Sequence, residues 1–96
     1  MRRVAFLWES AFGTAYAALG FDCKDREDCV ERIKEAKEIL KELDSNPILT
    51  WSSYYKMFFL VTRFAFPKEE VERFSEKLSV SGWEVKWGKR EEVLGE

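Results

Sequence analysis

Ninety-six residues, 46% hydrophobic and 16% aromatic, supply one domain, and its core must be dense because a chain this short buries only about 60–65% of its unfolded surface. Sixteen basic and 18 acidic side chains, scattered along the chain, leave a net charge of −2 and no basic block, which disfavours nucleic acid as a partner. The longest apolar runs, such as Met57 to Val61, fall far short of the ~20 residues that span a bilayer, and no small-residue cleavage site follows Met1-Arg2-Arg3, so a soluble cytoplasmic protein with no membrane contact is expected.

The chain lacks His and Gln, and Asn46 is its only Asn, while Glu and Lys dominate the polar positions. Depletion of thermolabile amides with Lys/Glu enrichment is a hyperthermophile, archaeal-like signature.

Val4-Ala5-Phe6-Leu7-Trp8 is a short apolar run suited to a strand buried on both faces. Beyond Ser10, the residues Ala11, Phe12, Ala15, Tyr16 and Leu19 fall at helical spacing, with Gly20 as a stop, so a short helix is the reading chosen. The competing reading is a hairpin turning near Gly13, with Thr14 to Phe21 paired back on the first strand. From Asp25 to Asp44, Val30, Ile33, Ala36, Leu40 and Leu43 recur at three- and four-residue steps opposite a Glu/Lys face. That pattern predicts a long amphipathic helix, capped by Asp25 and ended by Ser45-Asn46-Pro47.

Ile48 to Phe66 is β-branched and aromatic but too long for one strand, so it must reverse, within Ser52 to Lys56. Pro67 then opens a second helix with Glu69 and Glu70 in its first turn and Val71, Phe74 and Leu78 on one face. Trp83 to Trp87 alternates as a half-buried strand, and residues 89–96 form a charged tail. The order β-α-β-β-α-β predicts an α+β, ferredoxin-like sandwich over residues 1–88: a four-stranded antiparallel sheet with two helices on one face.

Catalysis finds little support, because without His there is no side chain that titrates near neutrality unaided. Glu9, at the end of the first strand, is the one carboxylate considered for acid/base work in a small enzyme; the simpler reading is that it marks where the strand meets water. No catalytic, cofactor-binding or metal residues are assigned. Cys23 and Cys29 flank the cap of the long helix, but their five-residue gap is not zinc-ligand spacing. A structural disulfide is the reading preferred to a metal or redox site, with two independent buried thiols as its alternative.

The run Tyr54-Tyr55-Lys56-Met57-Phe58-Phe59 resembles RNA-recognition domains, which stack bases on sheet aromatics. The resemblance implies binding of single-stranded nucleic acid on the sheet. It departs from that family's signature at Met57, where Gly belongs, and at Leu60, where a second stacking aromatic belongs, and core packing explains the aromatics as well.

Strand alternation supplies the last expectation. Trp83, Val85 and Trp87 are placed toward the helices, and Val4, Phe6 and Trp8 with them. Ala5, Leu7, Met57, Phe59, Val61 and Arg63 are assigned to the uncovered sheet face, as an apolar stripe with a polar rim. Such stripes mark association surfaces, so the expected function is an interaction or ligand-binding module acting as a homodimer, or with a protein partner, through the open face. Its alternative is that the Ser10–Asp22 segment or the tail, through Val93 and Leu94, covers the stripe within one chain.

Overall fold

The computed structural model describes residues 2–95. It is a mixed α+β domain with a six-stranded sheet and three helices. The four-stranded ferredoxin-like layout is not what the chain forms, and the departure begins at residue 14.

β1 (Arg3–Glu9) turns through a single 3₁₀ turn at Ala11–Gly13 and returns as β2 (Thr14–Phe21), paired antiparallel from Arg3 opposite Phe21 to Glu9 opposite Ala15. The helix expected over this segment is therefore a strand, and the hairpin reading is the one realised. Two consecutive left-handed residues, Phe12 (φ 57°) and Gly13 (φ 69°), make the reversal, and the Ser10 N–H donates to the Thr14 carbonyl at 2.8 Å to close it. Helical spacing misleads here because Ala15, Ala17 and Leu19 also fit period two.

α1 (Arg26–Leu40) begins at Asp25, whose carboxylate accepts from the Asp28 N–H at 2.8 Å. β3 (Ile48–Ser52) and β4 (Met57–Val61) form the second hairpin. The turn between them has no Gly or Asn, and Lys56 takes the left-handed conformation instead (φ 55°), its N–H donating to the Ser52 carbonyl at 2.7 Å. β5 (Phe66–Pro67) makes a short pairing with the start of β2, α2 (Lys68–Val80) follows, and β6 (Glu84–Trp87) returns parallel to β1. The C-terminal segment, expected as a tail, carries α3 (Glu91–Leu94).

The main path of the sheet runs β3-β4-β2-β1-β6. Set β1, the two-residue β5 and α3 aside, and the rest runs β-α-β-β-α-β along the chain; β1 stands between β2 and β6, where the expected four-stranded sheet would have them adjacent.

Two cores lie on opposite faces. Under α1 and α2, Ala5, Leu7, Ala15, Ala17, Leu19, Phe21 and Leu60 meet Ala36, Leu40, Val71, Phe74 and Leu78. On the far face Val4, Phe6, Trp8, Ala18, Met57, Phe59 and Val61 close against Val93 of α3. Asp44, buried just beyond α1, ties that helix to the end of β4: it accepts from the Arg63 backbone N–H at 2.8 Å and from Arg63 Nη2 at 2.9 Å. The Arg63 hydrogen bonds outweigh burial and hold the Asp44 carboxyl at about 2.

Candidate functional site

The far face is built from aromatic rings. Phe6 meets Tyr55 and Phe59 edge-on, at centroid distances of 5.8 and 6.5 Å, and Trp8 stacks on Tyr16 at 5.4 Å. Tyr55 reaches this layer from the β3–β4 turn, with the charged ends of Arg2 and Lys86 near its ring at 5.5 and 5.4 Å. α3 lies across these rings: Val93 is fully buried, and the Ser52 hydroxyl donates to the Glu92 carbonyl at 2.7 Å. The Gly88 N–H donates to the Leu7 carbonyl at 3.0 Å, and at Gly88 a Cβ would come within 2.6 Å of the Phe6 ring. Glycine there lets the chain leave β6 and cross the face.

Beside α3 an open groove of about 1360 Å³ remains, with Trp8, Tyr16, Trp87, Arg63 and Lys89 among its walls. Two of its charged side chains are engaged in ion pairs. Arg63 is bonded to Asp44, and Glu9 accepts from Lys68 Nζ at 2.6 Å. Trp8 and Tyr16 stack on each other, which leaves Trp8 only 5% exposed.

The sheet's two long edges differ sharply. β6 is charged, with Glu84 and Lys86 alternating with Val85 and Trp87, and Arg2 donates to Glu84 at 3.2 Å, holding that carboxyl below its ordinary range. β3 carries no charge: its sequence is Ile-Leu-Thr-Trp-Ser, and Ile48, Leu49 and Trp51 are 57%, 45% and 52% exposed. Leu49 and Trp51 lie opposite Leu60 and Phe58 and so share the helix-side face, whereas Ile48 lies opposite Val61 on the far face. Neither edge has a strand beyond it, so each presents unpaired backbone donors and acceptors.

The six residues assigned to one open stripe do not share a surface. Ala5 and Leu7 lie under the helices, fully buried; Met57, Phe59 and Val61 are on the opposite face, buried with Phe6, Trp8 and Val93; Arg63 is exposed beyond the end of β4. Val4, Phe6 and Trp8, expected under the helices, face away from them. Alternation alone cannot choose a face for an apolar run when both faces are covered. Glu9 is exposed at the end of β1 and paired with Lys68. Cys23 and Cys29 are brought together as a disulfide, with Cα atoms 5.1 Å apart, at the entrance to α1. The β3 edge is the feature that sequence reasoning missed. The signal that could have found it is the absence of any charge from Pro47 to Tyr55 beside a strand that alternates Glu and Lys.

Among the described residues no cluster of three or more His, Cys, Asp or Glu side chains could hold a metal ion, and no helix is long and apolar enough to cross a membrane. Comparison of the chain with family models, with curated proteins and with solved structures finds no match.

Proposed function

We propose that the chain is a small protein-interaction domain that binds by accepting an extended segment alongside β3. The carrying observation is the edge itself: a strand paired on one side only among the described residues, with no charged residue and three large apolar side chains about half exposed. Natural sheets guard such edges with charge, as β6 does, because an unguarded strand is a template for another chain. Strand addition gives affinity through backbone hydrogen bonds and selectivity through alternate side chains. Here Leu49 and Trp51 offer an apolar ledge on the helix side and Ile48 a smaller one on the far side.

The far face, on which a homodimer was expected, is buried with Val93 of α3, which supports placing association at the edge instead. We read the fold as an elaboration of the ferredoxin-like plan, a reading supported by the order β2-α1-β3-β4-α2-β6 that follows β1 in the chain. The amide-poor composition supports a hyperthermophile origin, whose cytoplasm would sustain the Cys23–Cys29 bridge.

Short random peptides displayed on phage and selected on the intact chain supply the test. Bound peptides should slow amide hydrogen exchange at β3 and leave β6 unchanged. Protection confined to β6 or to the groove walls would overturn the reading.

A further inference from the structure

α1 packs over β2 and β4, whereas α2 packs over β1, β2 and β6. The two flanks of α1 therefore differ. One faces α2: Glu42 accepts from Lys77 at 2.9 Å, and Ile39 shares a depression with Phe74 and Leu78. The exposed side of α1, turned away from that contact, carries Lys34, Lys37 and Lys41, at steps of three and four residues, around a shallow depression that includes Ser45 and also Glu38, which borders the α2-side depression as well. Lys34 lies 3.8 Å from Glu31, while Lys37 and Lys41 form no ion pair among the described residues. All three lysines are exposed. An excess of positive charge thus lies on the exposed side of α1, on the part of the helix layer nearer the uncharged β3 edge.

We infer that the segment received at β3 is acidic: an extended stretch of another protein chain carrying Asp or Glu on the side toward the Lys34–Lys37–Lys41 ridge, with apolar residues against Leu49 and Trp51. This rests on the strand-addition reading and names the chemistry of the partner. An added strand lies about 4.8 Å beyond β3 and directs alternate side chains to the helix side, within reach of extended lysines. Their attraction for carboxylates steers encounter and selects among extended segments, all of which could offer the same backbone hydrogen bonds. A second copy of this chain fits less well. Residues directly opposite in an antiparallel pair share a face, so two copies joined β3 to β3 would carry both α1 helices, and both lysine ridges, on the same side with like charges toward one another.

Composition of the selected peptides decides the matter, with the intact chain compared against the exposed-site variants K34E/K37E/K41E and Trp51→Glu. Peptides selected on the wild type should be enriched in Asp and Glu and depleted in Lys and Arg; the triple variant should reverse the bias, and Trp51→Glu should abolish enrichment. Affinity for an acidic selected peptide should fall at least about tenfold in the triple variant, and it should fall with added salt. Peptides that require Trp51 but show no acidic bias, and bind the triple variant equally, overturn the acidic partner and leave strand addition standing. Failure to enrich any Trp51-dependent peptide removes both. A wild type that sediments as a dimer, and that Thr50→Cys crosslinks across β3, assigns the edge to a second copy and overturns the inference.

Discussion

The two faces of the sheet solve the same problem with opposite materials. Beneath α1 and α2, β1 and the first half of β2 contribute Ala5, Ala15 and Ala17, because Leu40, Val71, Phe74 and Leu78 arrive from the helices with the bulk. On the far face the cover is a helix of four residues, and the strands must supply the volume themselves as Phe6, Trp8 and Phe59. Close packing demands that the space be filled and is indifferent to which layer fills it. Farther along β2 the shares invert, with Leu19 and Phe21 under the helices and Ala18 and Gly20 on the far face, where Phe59 fills the space.

If the far face is a true core, Phe59→Ala should cost about 3–5 kcal/mol in denaturant unfolding, as large a loss as truncating Phe74 beneath the helices. A loss below about 1 kcal/mol would reduce the aromatic layer to surface decoration. Gly20→Ala sharpens the same point. Gly20 pairs with Phe59, whose ring stands 2.4 Å from where a Cβ would be, so one methyl group should cost about 1–3 kcal/mol. Wild-type stability after that substitution would mean that the ring yields freely.

The tie between α1 and β4 has a pH signature. Asp44 is held at about 2 by Arg63, below its unfolded value, so its contribution is fully present above about pH 4 and is lost as pH falls toward 2. The loss should be on the order of 2 kcal/mol, and Asp44→Asn should be less stable at neutral pH while flattening the stability profile in that window. An unchanged acid profile in the variant would show that the pair does not hold the helix layer to the sheet.

At the other end of α1, removing the Cys23–Cys29 bridge by Cys23→Ser/Cys29→Ser should cost about 2 kcal/mol, the modest figure for so short a loop. Unreduced, denatured wild type should titrate no free thiol; two reactive thiols would refute the bridge. The smallest effect is expected at the edge: Trp51→Glu should cost about 0.5–1.5 kcal/mol, because its side chain is half exposed and packs edge-on against the Phe58 ring, at 5.0 Å. A large loss there would make β3 a structural strand instead of a binding edge.

Much of the fold was legible in the sequence. Asp25, the heptad-like apolar steps of α1 and Pro67 located both long helices, and the length of the 48–66 segment required the reversal that Lys56 makes. The segment after Ser10 was not legible, because its alanines satisfy both periodicities and the choice is made by pairing with β1, a contact between residues up to 18 positions apart. Gly20, read as a helix stop, lies inside β2, one residue from its end, where it makes room for Phe59. The faces of β1 were equally hidden, since five apolar residues in succession say that both sides are covered and not by what. The Cys23–Cys29 proximity followed from local chain reversal, whereas the open edge depends on strand order, which no local pattern encodes.

The insertion of β1 between β2 and β6 has a consequence for the order of assembly. Val4 lies opposite Glu84 and Leu7 opposite Trp87, so β1, an interior strand of the sheet, obtains its second neighbour from a segment 80 residues downstream. The hairpins β1–β2 and β3–β4 can form from local contacts in microseconds, but joining β6 to β1 closes a loop that encloses nearly every other element. During synthesis, the side of β1 awaiting β6 stays open until residues 84–87 leave the ribosome, and the rings that α3 covers stay wet with it. Completion of the sheet and closure of the second core thus both wait on the segment from residue 84 onward, and are the same late step in the folding of this domain.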